Sequence, residues 1–243
     1  MNAIILCGGS RVGEGLRRGG SESLEAVEKQ RKTFRTKGTY NVGHETIIQR
    51  ATRMLHENGI TDITVAYTYE KPEVEGTSFR QVKYRKGAFS TIYQCRDLID
   101  ETLIIYGDSV FSEATLKDVL RQNFDEILIV MNHMILTNPK GATILQNFFD
   151  EYGERIMAEE LGSSQHFLFA PFMLYPIFRN HFRLFVSRYF ITDCDHEGKR
   201  ALIIDIIKNH LDKGKEPDWL GGWQKRLHGL NLGRRSWILE LGE

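Results

Sequence analysis

The sequence predicts an α/β protein with a mostly parallel central sheet and helices on both faces. Short apolar segments alternate with amphipathic segments along the chain, and several of the apolar segments are continuous. Continuous apolar strands are typical of parallel sheets that are buried on both faces. Alternation of such strands with helices favours parallel pairing. At 243 residues, the chain is long enough for one such domain with a buried core.

Apolar runs bounded by glycine, aspartate or polar residues predict the strands. They cover residues 3–6, 63–67, 81–84, 102–106, 127–131 and 184–190. Helical periodicity is clearest over residues 46–58, where apolar side chains recur three and four positions apart and Gly59 follows at the usual C-terminal stop. Helices are also predicted over 90–98, 112–122, 142–152 and 197–211.

Composition and charge exclude several classes of protein. Lys plus Arg and Asp plus Glu both number 32, so no net charge attracts nucleic acid or an anionic membrane. Cys7, Cys95 and Cys194 lie far apart without CxxC spacing, which favours a reducing compartment. No segment approaches the roughly 18 apolar residues of a membrane span. We therefore expect a cytoplasmic protein with one domain over 1–212 and a Trp-containing C-terminal extension over 213–243.

Ligands of parallel α/β sheets bind at the carboxyl ends of the strands, which selects three places in this chain. The first strand runs into a six-residue segment, Leu6, Cys7, Gly8, Gly9, Ser10 and Arg11. Its glycines allow backbone N–H groups to approach a phosphate closely, and the arginine can pair with phosphate oxygens. The segment has neither G-x-G-x-x-G nor P-loop spacing, and glycine after a strand is also typical of an ordinary turn.

Carboxylates follow two further strands. Gly107-Asp108 comes directly after residues 102–106, and Asp193 and Asp195 come after residues 184–190. Mg2+ is typically held by one or two carboxylates together with substrate phosphates. The competing interpretation is that these aspartates stabilise turns or cap helices. A glycine segment facing two strand-end aspartates predicts a Mg2+–phosphate site more specifically than any one of them does.

Motifs along residues 1–211 resemble those of one enzyme family. Residues 3–11 resemble its opening AIILAAGxGTR, residues 55–67 resemble its phrase L..xGIxxIxVVxGY, and Gly107-Asp108 resembles its metal-binding GD. The last motif, D-x-x-x-[DE]-x-x-R-A, is matched by Asp193, Glu197, Arg200 and Ala201. The family is the sugar-phosphate and choline-phosphate nucleotidyltransferases, and the resemblance implies their Rossmann-like GT-A nucleotidyltransferase fold.

The resemblance also implies a reaction and roles for the site residues. A nucleoside monophosphate, CMP in the shorter members, would pass from an NTP to a phosphorylated small molecule such as a sugar phosphate or a phosphocholine-like head group. Residues 6–11 would bind the nucleotide, and Asp108 and Asp193 would hold Mg2+. Arg11 and Lys37 would neutralise phosphate charge, since Lys37 and Val42 match the family's K-x-L-x-x-V spacing.

Several alternatives stay open at this point. Lys32 competes with Lys37, and Arg17 or Arg18 with Arg11, because residues 9–37 are about twice as long as in the family. Asp195 competes with Asp193, since either could hold the metal or cap the helix that follows. A GT-A-type glycosyltransferase would use a D-x-D metal motif, and a non-catalytic homologue would bind NTP without turnover. The base, the acceptor and the formation of a homodimer are also undetermined by the sequence.

Overall fold

The computed structural model describes residues 1–7, 37–39, 41–83, 88–130, 134–158, 178 and 181–185. Its strands are β1 Asn2–Cys7, β2 Asn41–Val42, β3 Glu45–Thr46, β4 Ile63–Tyr67, β5 Ser78–Gln81, β6 Thr102–Tyr106, β7 Ile127–Val130, β8 Met134–Thr137 and β9 Phe182–Phe185. Its helices are α1 Ile47–Glu57, α2 Ala88–Gln94, α3 Glu113–Leu120 and α4 Pro139–Met157, with short 3-10 helices at Lys37–Thr39 and Arg96–Leu98.

Seven of the strands form one sheet in the order β5-β4-β1-β6-β8-β7-β9. Strand β8 is antiparallel to β6 and to β7, whereas the other neighbouring pairs are parallel. Strands β2 and β3 form a separate small hairpin. The predicted fold class, an α/β protein with a mostly parallel sheet, is confirmed.

Alternate residues of each strand face opposite layers of helices. Ala3, Ile5 and Cys7 of β1 belong to a buried cluster with apolar residues of α1 and α3. On the other face, α2 contacts β1 and packs against α4, where the rings of Phe89 and Phe148 meet edge to face with centroids 5.8 Å apart. The sheet is therefore covered on both faces, as its continuous apolar strands require.

Local capping explains where helix α1 begins and ends. The Thr46 hydroxyl accepts a hydrogen bond from the Gln49 backbone N–H, and the Gln49 side chain accepts one from the Thr46 backbone N–H. This capping box satisfies two N–H groups that the first helical turn leaves unpaired. Gly59, at φ +80°, ends the helix in the left-handed conformation that the sequence predicted.

Some boundaries differ from the predictions. The strand predicted over 81–84 instead spans Ser78–Gln81, because pairing with β4 decides its register. Strand β8 was missed: Asn132 and His133 separate its apolar residues from β7, and its place in the sheet comes from antiparallel pairing with β6 and β7. The helix predicted over 90–98 ends at Gln94 and continues as a separate 3-10 helix. The helix predicted over 142–152 extends to Pro139–Met157, capped by the Asn138 side chain.

Some predicted features lie beyond the part of the chain that the structure describes. They are the end of the 184–190 strand, the 197–211 helix and the 213–243 extension. Within the described ranges, every helix is too short or too polar to cross a membrane.

Candidate functional site

The order of the strands predicts a crevice at the carboxyl ends of β1 and β6. From β1 the chain passes through α1 to β4 on one side of β1, and α2 later returns it to β6 on the other side. Where the connections of two neighbouring strands run to opposite sides, a gap opens at the carboxyl ends of those strands. Ligands of α/β sheets bind in such gaps. Two of the three sequence segments selected above, those ending β1 and β6, meet at this place.

Gly107 brings the ends of β1 and β6 into direct contact. Its N–H donates a hydrogen bond of 3.0 Å to the Leu6 carbonyl oxygen. A Cβ atom on Gly107 would lie 2.4 Å from Cys7 Sγ and 2.9 Å from the Leu6 oxygen. Those separations are too short for any side chain, so the close approach requires glycine. The next residue, Asp108, is thereby held at the mouth of the crevice.

Asp108 is exposed and lies in a turn closed by a 3.0 Å hydrogen bond from the Ser109 N–H to the Tyr106 carbonyl oxygen. The cap of the following helix α3 is Ser112, whose hydroxyl accepts from the Thr115 N–H at 3.1 Å. Asp108 is therefore not the N-cap of that helix, which removes one of its alternative interpretations.

The negative charge of Asp108 shifts the pKa of a side chain at each of the two strand ends. Burial, followed by the negative charge of Asp108, raises the pKa of the Cys7 thiol well above its usual range. The same two causes, in the same order, raise the pKa of the Tyr106 hydroxyl. Both groups stay neutral near pH 7, so the carboxylate of Asp108 is the charged group that these strand ends present to a ligand.

A third segment, the 3-10 helix Lys37–Thr39, lies against the end of β6. A Cβ atom on Gly38 would lie 2.5 Å from the Gly107 carbonyl oxygen and 2.7 Å from Ile48 Cγ1. The Lys37 backbone therefore adjoins the segment that carries Asp108. The sequence analysis did not identify Gly38, although a glycine directly after the favoured lysine was a signal of such a close approach.

The structure brings four of the predicted site residues to one place. These are Leu6, Cys7, Lys37 and Asp108, in the order of the chain. The side chains of Leu6 and Cys7 are buried, so these residues can offer a ligand only backbone groups. Other predicted residues lie outside the described ranges, namely Gly8, Gly9, Ser10, Arg11, Lys32, Asp193 and Asp195.

The chemistry of this place fits a hard divalent cation that is shared with a ligand. Within the described ranges, no three His, Cys, Asp or Glu side chains lie close enough together to form a complete metal site. One exposed carboxylate beside a crevice matches the way Mg2+ is bound, through one or two carboxylates, water and substrate phosphates. Asp108 is the described residue that would hold it.

Burial should protect both described cysteines from alkylation at pH 8. It raises the pKa of Cys95 to about 11 and that of Cys7 further, and the thiolate is the form that reacts. We expect iodoacetamide to label both thiols only after unfolding, as measured by peptide mass spectrometry. Equally fast labelling of Cys7 in the folded protein would contradict its position between the strands.

The same pKa shifts give a pH dependence of stability. Thiols that ionise from about pH 9 in the unfolded chain remain protonated in the folded chain. Their contribution to the free energy of unfolding is therefore complete below about pH 9. At Cys95 it is lost as the pH rises towards about 11.

No protein-family model matches the chain, and no curated protein matches it. The chain is similar to LicC, the CTP:phosphocholine cytidylyltransferase of Streptococcus pneumoniae, with 14% identity, 84% of this chain and 98% of LicC covered, and a TM-score of 0.45. It is also similar to the inositol-1-phosphate CTP transferase from T. maritima, with 16% identity and a TM-score of 0.36. The match covers 54% of this chain and 52% of the transferase.

A third similar structure is Rv0371c from Mycobacterium tuberculosis H37Rv in complex with manganese. It has 10% identity, 76% of this chain and 87% of Rv0371c covered, and a TM-score of 0.43. The solved structures to which this chain is similar include nucleotidyltransferases.

Proposed function

We propose that the chain is a nucleotidyltransferase that passes a nucleoside monophosphate from an NTP to a phosphorylated small molecule and releases pyrophosphate. The observation that carries the proposal is the meeting of three segments at one crevice: the end of β1, the Lys37–Thr39 turn and Gly107-Asp108. Transfer of a nucleoside monophosphate to an acceptor phosphate needs three kinds of group: backbone groups, a lysine and a carboxylate. Such reactions depend mainly on positioning and charge neutralisation.

Each described group has a separate task in this reaction. The backbone at the end of β1 leads into the segment that would contact the base and phosphates. Lys37 would neutralise charge on the α-phosphate, while Asp108, together with Asp193, would hold Mg2+. When bound, Mg2+ supplies positive charge to the phosphate oxygens. An oxygen of the acceptor phosphate attacks the α-phosphorus in line, so the protein needs no nucleophile of its own.

The finer parts of the proposal come from the sequence resemblance. CTP is the first donor to test, and sugar phosphates and phosphocholine-like head groups are the first acceptors. We place the transferase domain in residues 1–212 and treat 213–243 as a separate extension.

The test is to incubate the full chain with Mg2+, each of CTP, UTP, dTTP, ATP and GTP, and a panel of phosphorylated acceptors. We expect pyrophosphate release that depends on both substrates and stops when EDTA removes the metal. Release of a nucleoside diphosphate would instead indicate glycosyl transfer from a nucleotide sugar, which is tested as an alternative donor. Binding of NTP without turnover in any combination would identify a non-catalytic homologue.

A further inference from the structure

We propose that Gly38 is a positioning residue of the transfer reaction, because its lack of a side chain sets the distance between the Lys37 backbone and Asp108. The inference rests on the proposed function, since it gives Lys37 a task at the phosphates. It goes further by assigning a role to a residue that touches no substrate. Its basis is the set of contacts around Gly38.

Gly38 is buried between two rigid elements. On one side, an added Cβ atom would lie 2.5 Å from the carbonyl oxygen of Gly107, at the end of β6. On the other side, the same atom would lie 2.7 Å from Cγ1 and 2.8 Å from Cδ1 of Ile48, in the first turn of α1. Ordinary van der Waals contacts of a Cβ atom begin near 3.4 Å. A single methyl group therefore cannot fit while all three segments keep their places.

The end of β6 cannot move to relieve the contact between an added Cβ atom on Gly38 and the Gly107 carbonyl oxygen. The Gly107 N–H donates a hydrogen bond to the Leu6 carbonyl oxygen, and β6 pairs with β1 on one side and β8 on the other. The Ile48 side chain is fully buried in the same core cluster as Cys7. Close-packed interiors transmit strain instead of absorbing it.

The segment that can move instead is the 3-10 helix Lys37–Thr39. It leads into the two-residue strands of the β2–β3 hairpin and is not part of the main sheet. Relief of the 2.5 Å contact requires a shift of about 1 Å, and a misplacement of that size can cost on the order of 100-fold in rate. A methyl group at residue 38 would therefore move the Lys37 backbone away from Asp108.

The experiment is a double-mutant cycle that compares kcat for pyrophosphate release in wild type, Gly38→Ala, Lys37→Ala and the double variant. We expect Gly38→Ala to lower kcat roughly tenfold or more in the wild-type background and less than about twofold in the Lys37→Ala background. A purely structural effect of the methyl group would lower kcat equally in both backgrounds.

Gly153→Ala is the matched control. It is the same change in α4, and the added Cβ atom would lie 2.2 Å from Cε2 of Tyr93, outside the candidate site. We expect it to lower the melting temperature without a selective loss of kcat. Should Gly38→Ala fail to fold, the cycle is repeated with Ile48→Val throughout, which removes the Cδ1 atom and leaves the contact with Gly107.

The outcomes separate the two proposals. If the wild type is active and Gly38→Ala keeps its kcat, or if its loss is the same with and without Lys37, the positioning role is wrong and the function stands. If the wild type releases no pyrophosphate from any pair of substrates, the proposed function is wrong and the inference falls with it.

Discussion

Replacement of Asp108 by asparagine should lower kcat for pyrophosphate release by at least ~100-fold, because charge neutralisation is usually the largest catalytic contribution in reactions of this kind. Asparagine keeps the shape of the side chain and removes the charge that would attract Mg2+. The fold should be spared, since Asp108 is exposed in a turn whose hydrogen bond is formed by backbone groups. Steady-state kinetics at saturating Mg2+ and the thermal unfolding curve measure the two effects.

Asp62→Asn provides the matched control for this prediction. Asp62 is also exposed, but it lies just before β4 and its carbonyl oxygen pairs with the Ala3 N–H at the amino end of β1. The same loss of charge at the opposite edge of the sheet should leave kcat unchanged. Near-normal turnover of the Asp108 variant would show that the carboxylate at the crevice does not hold the metal.

The second carboxylate is tested by the same substitution at Asp193 and at Asp195. Asp193→Asn is expected to resemble Asp108→Asn, because Asp193 matches the spacing of the family motif. A large loss at Asp195 with normal kcat at Asp193 would assign the metal to the other aspartate.

Replacement of Lys37 by alanine should lower kcat/KM for the NTP by roughly 100-fold, and replacement of Lys32 should have a smaller effect. The physical reason is the contact of Gly38 with the Gly107 carbonyl oxygen, which places the Lys37 backbone beside Asp108. In the proposed reaction, the lysine would neutralise charge on the phosphates, while Asp108 would hold the metal.

Lys117→Ala serves as the control for the lysine variants. Lys117 lies on α3 and pairs with Glu113 one helical turn away, so its loss removes a positive charge from the surface and leaves the crevice intact. Its kcat/KM should equal that of the wild type. A larger loss at Lys32 than at Lys37 would overturn the choice of lysine, and Gly38 would then have no role through Lys37.

Much of the fold could be predicted because its signals are local. Strands β4 and β6 were predicted with the bounds that the structure shows, since each is a short apolar run between polar residues. Helix α1 was predicted from one apolar face and a glycine stop, and a capping box of adjacent residues starts it. In each case the residues that decide the element lie within that element or directly beside it.

The errors occurred where distant residues decide. The register of β5 comes from pairing with β4, which begins 15 residues before it. Strand β8 takes its place by antiparallel pairing with β6 and β7, and its four residues, Met134–Thr137, carry no alternation of apolar and polar side chains that would predict a strand. Propensity and periodicity do not contain this information, because a strand is stabilised by its neighbours.

For the candidate site, the sequence by itself determined which chemical groups are present: a glycine segment after β1, Lys37, and a carboxylate at Asp108. Only the tertiary structure decided that the end of β1, the Lys37 backbone and Asp108 meet, because β1 and β6 are adjacent only through the crossing of α2. The structure also revealed the backbone contact between Gly38 and Gly107. Such a contact is possible because both residues are glycines without side chains. Patterns of apolar and polar side chains in a sequence do not predict it.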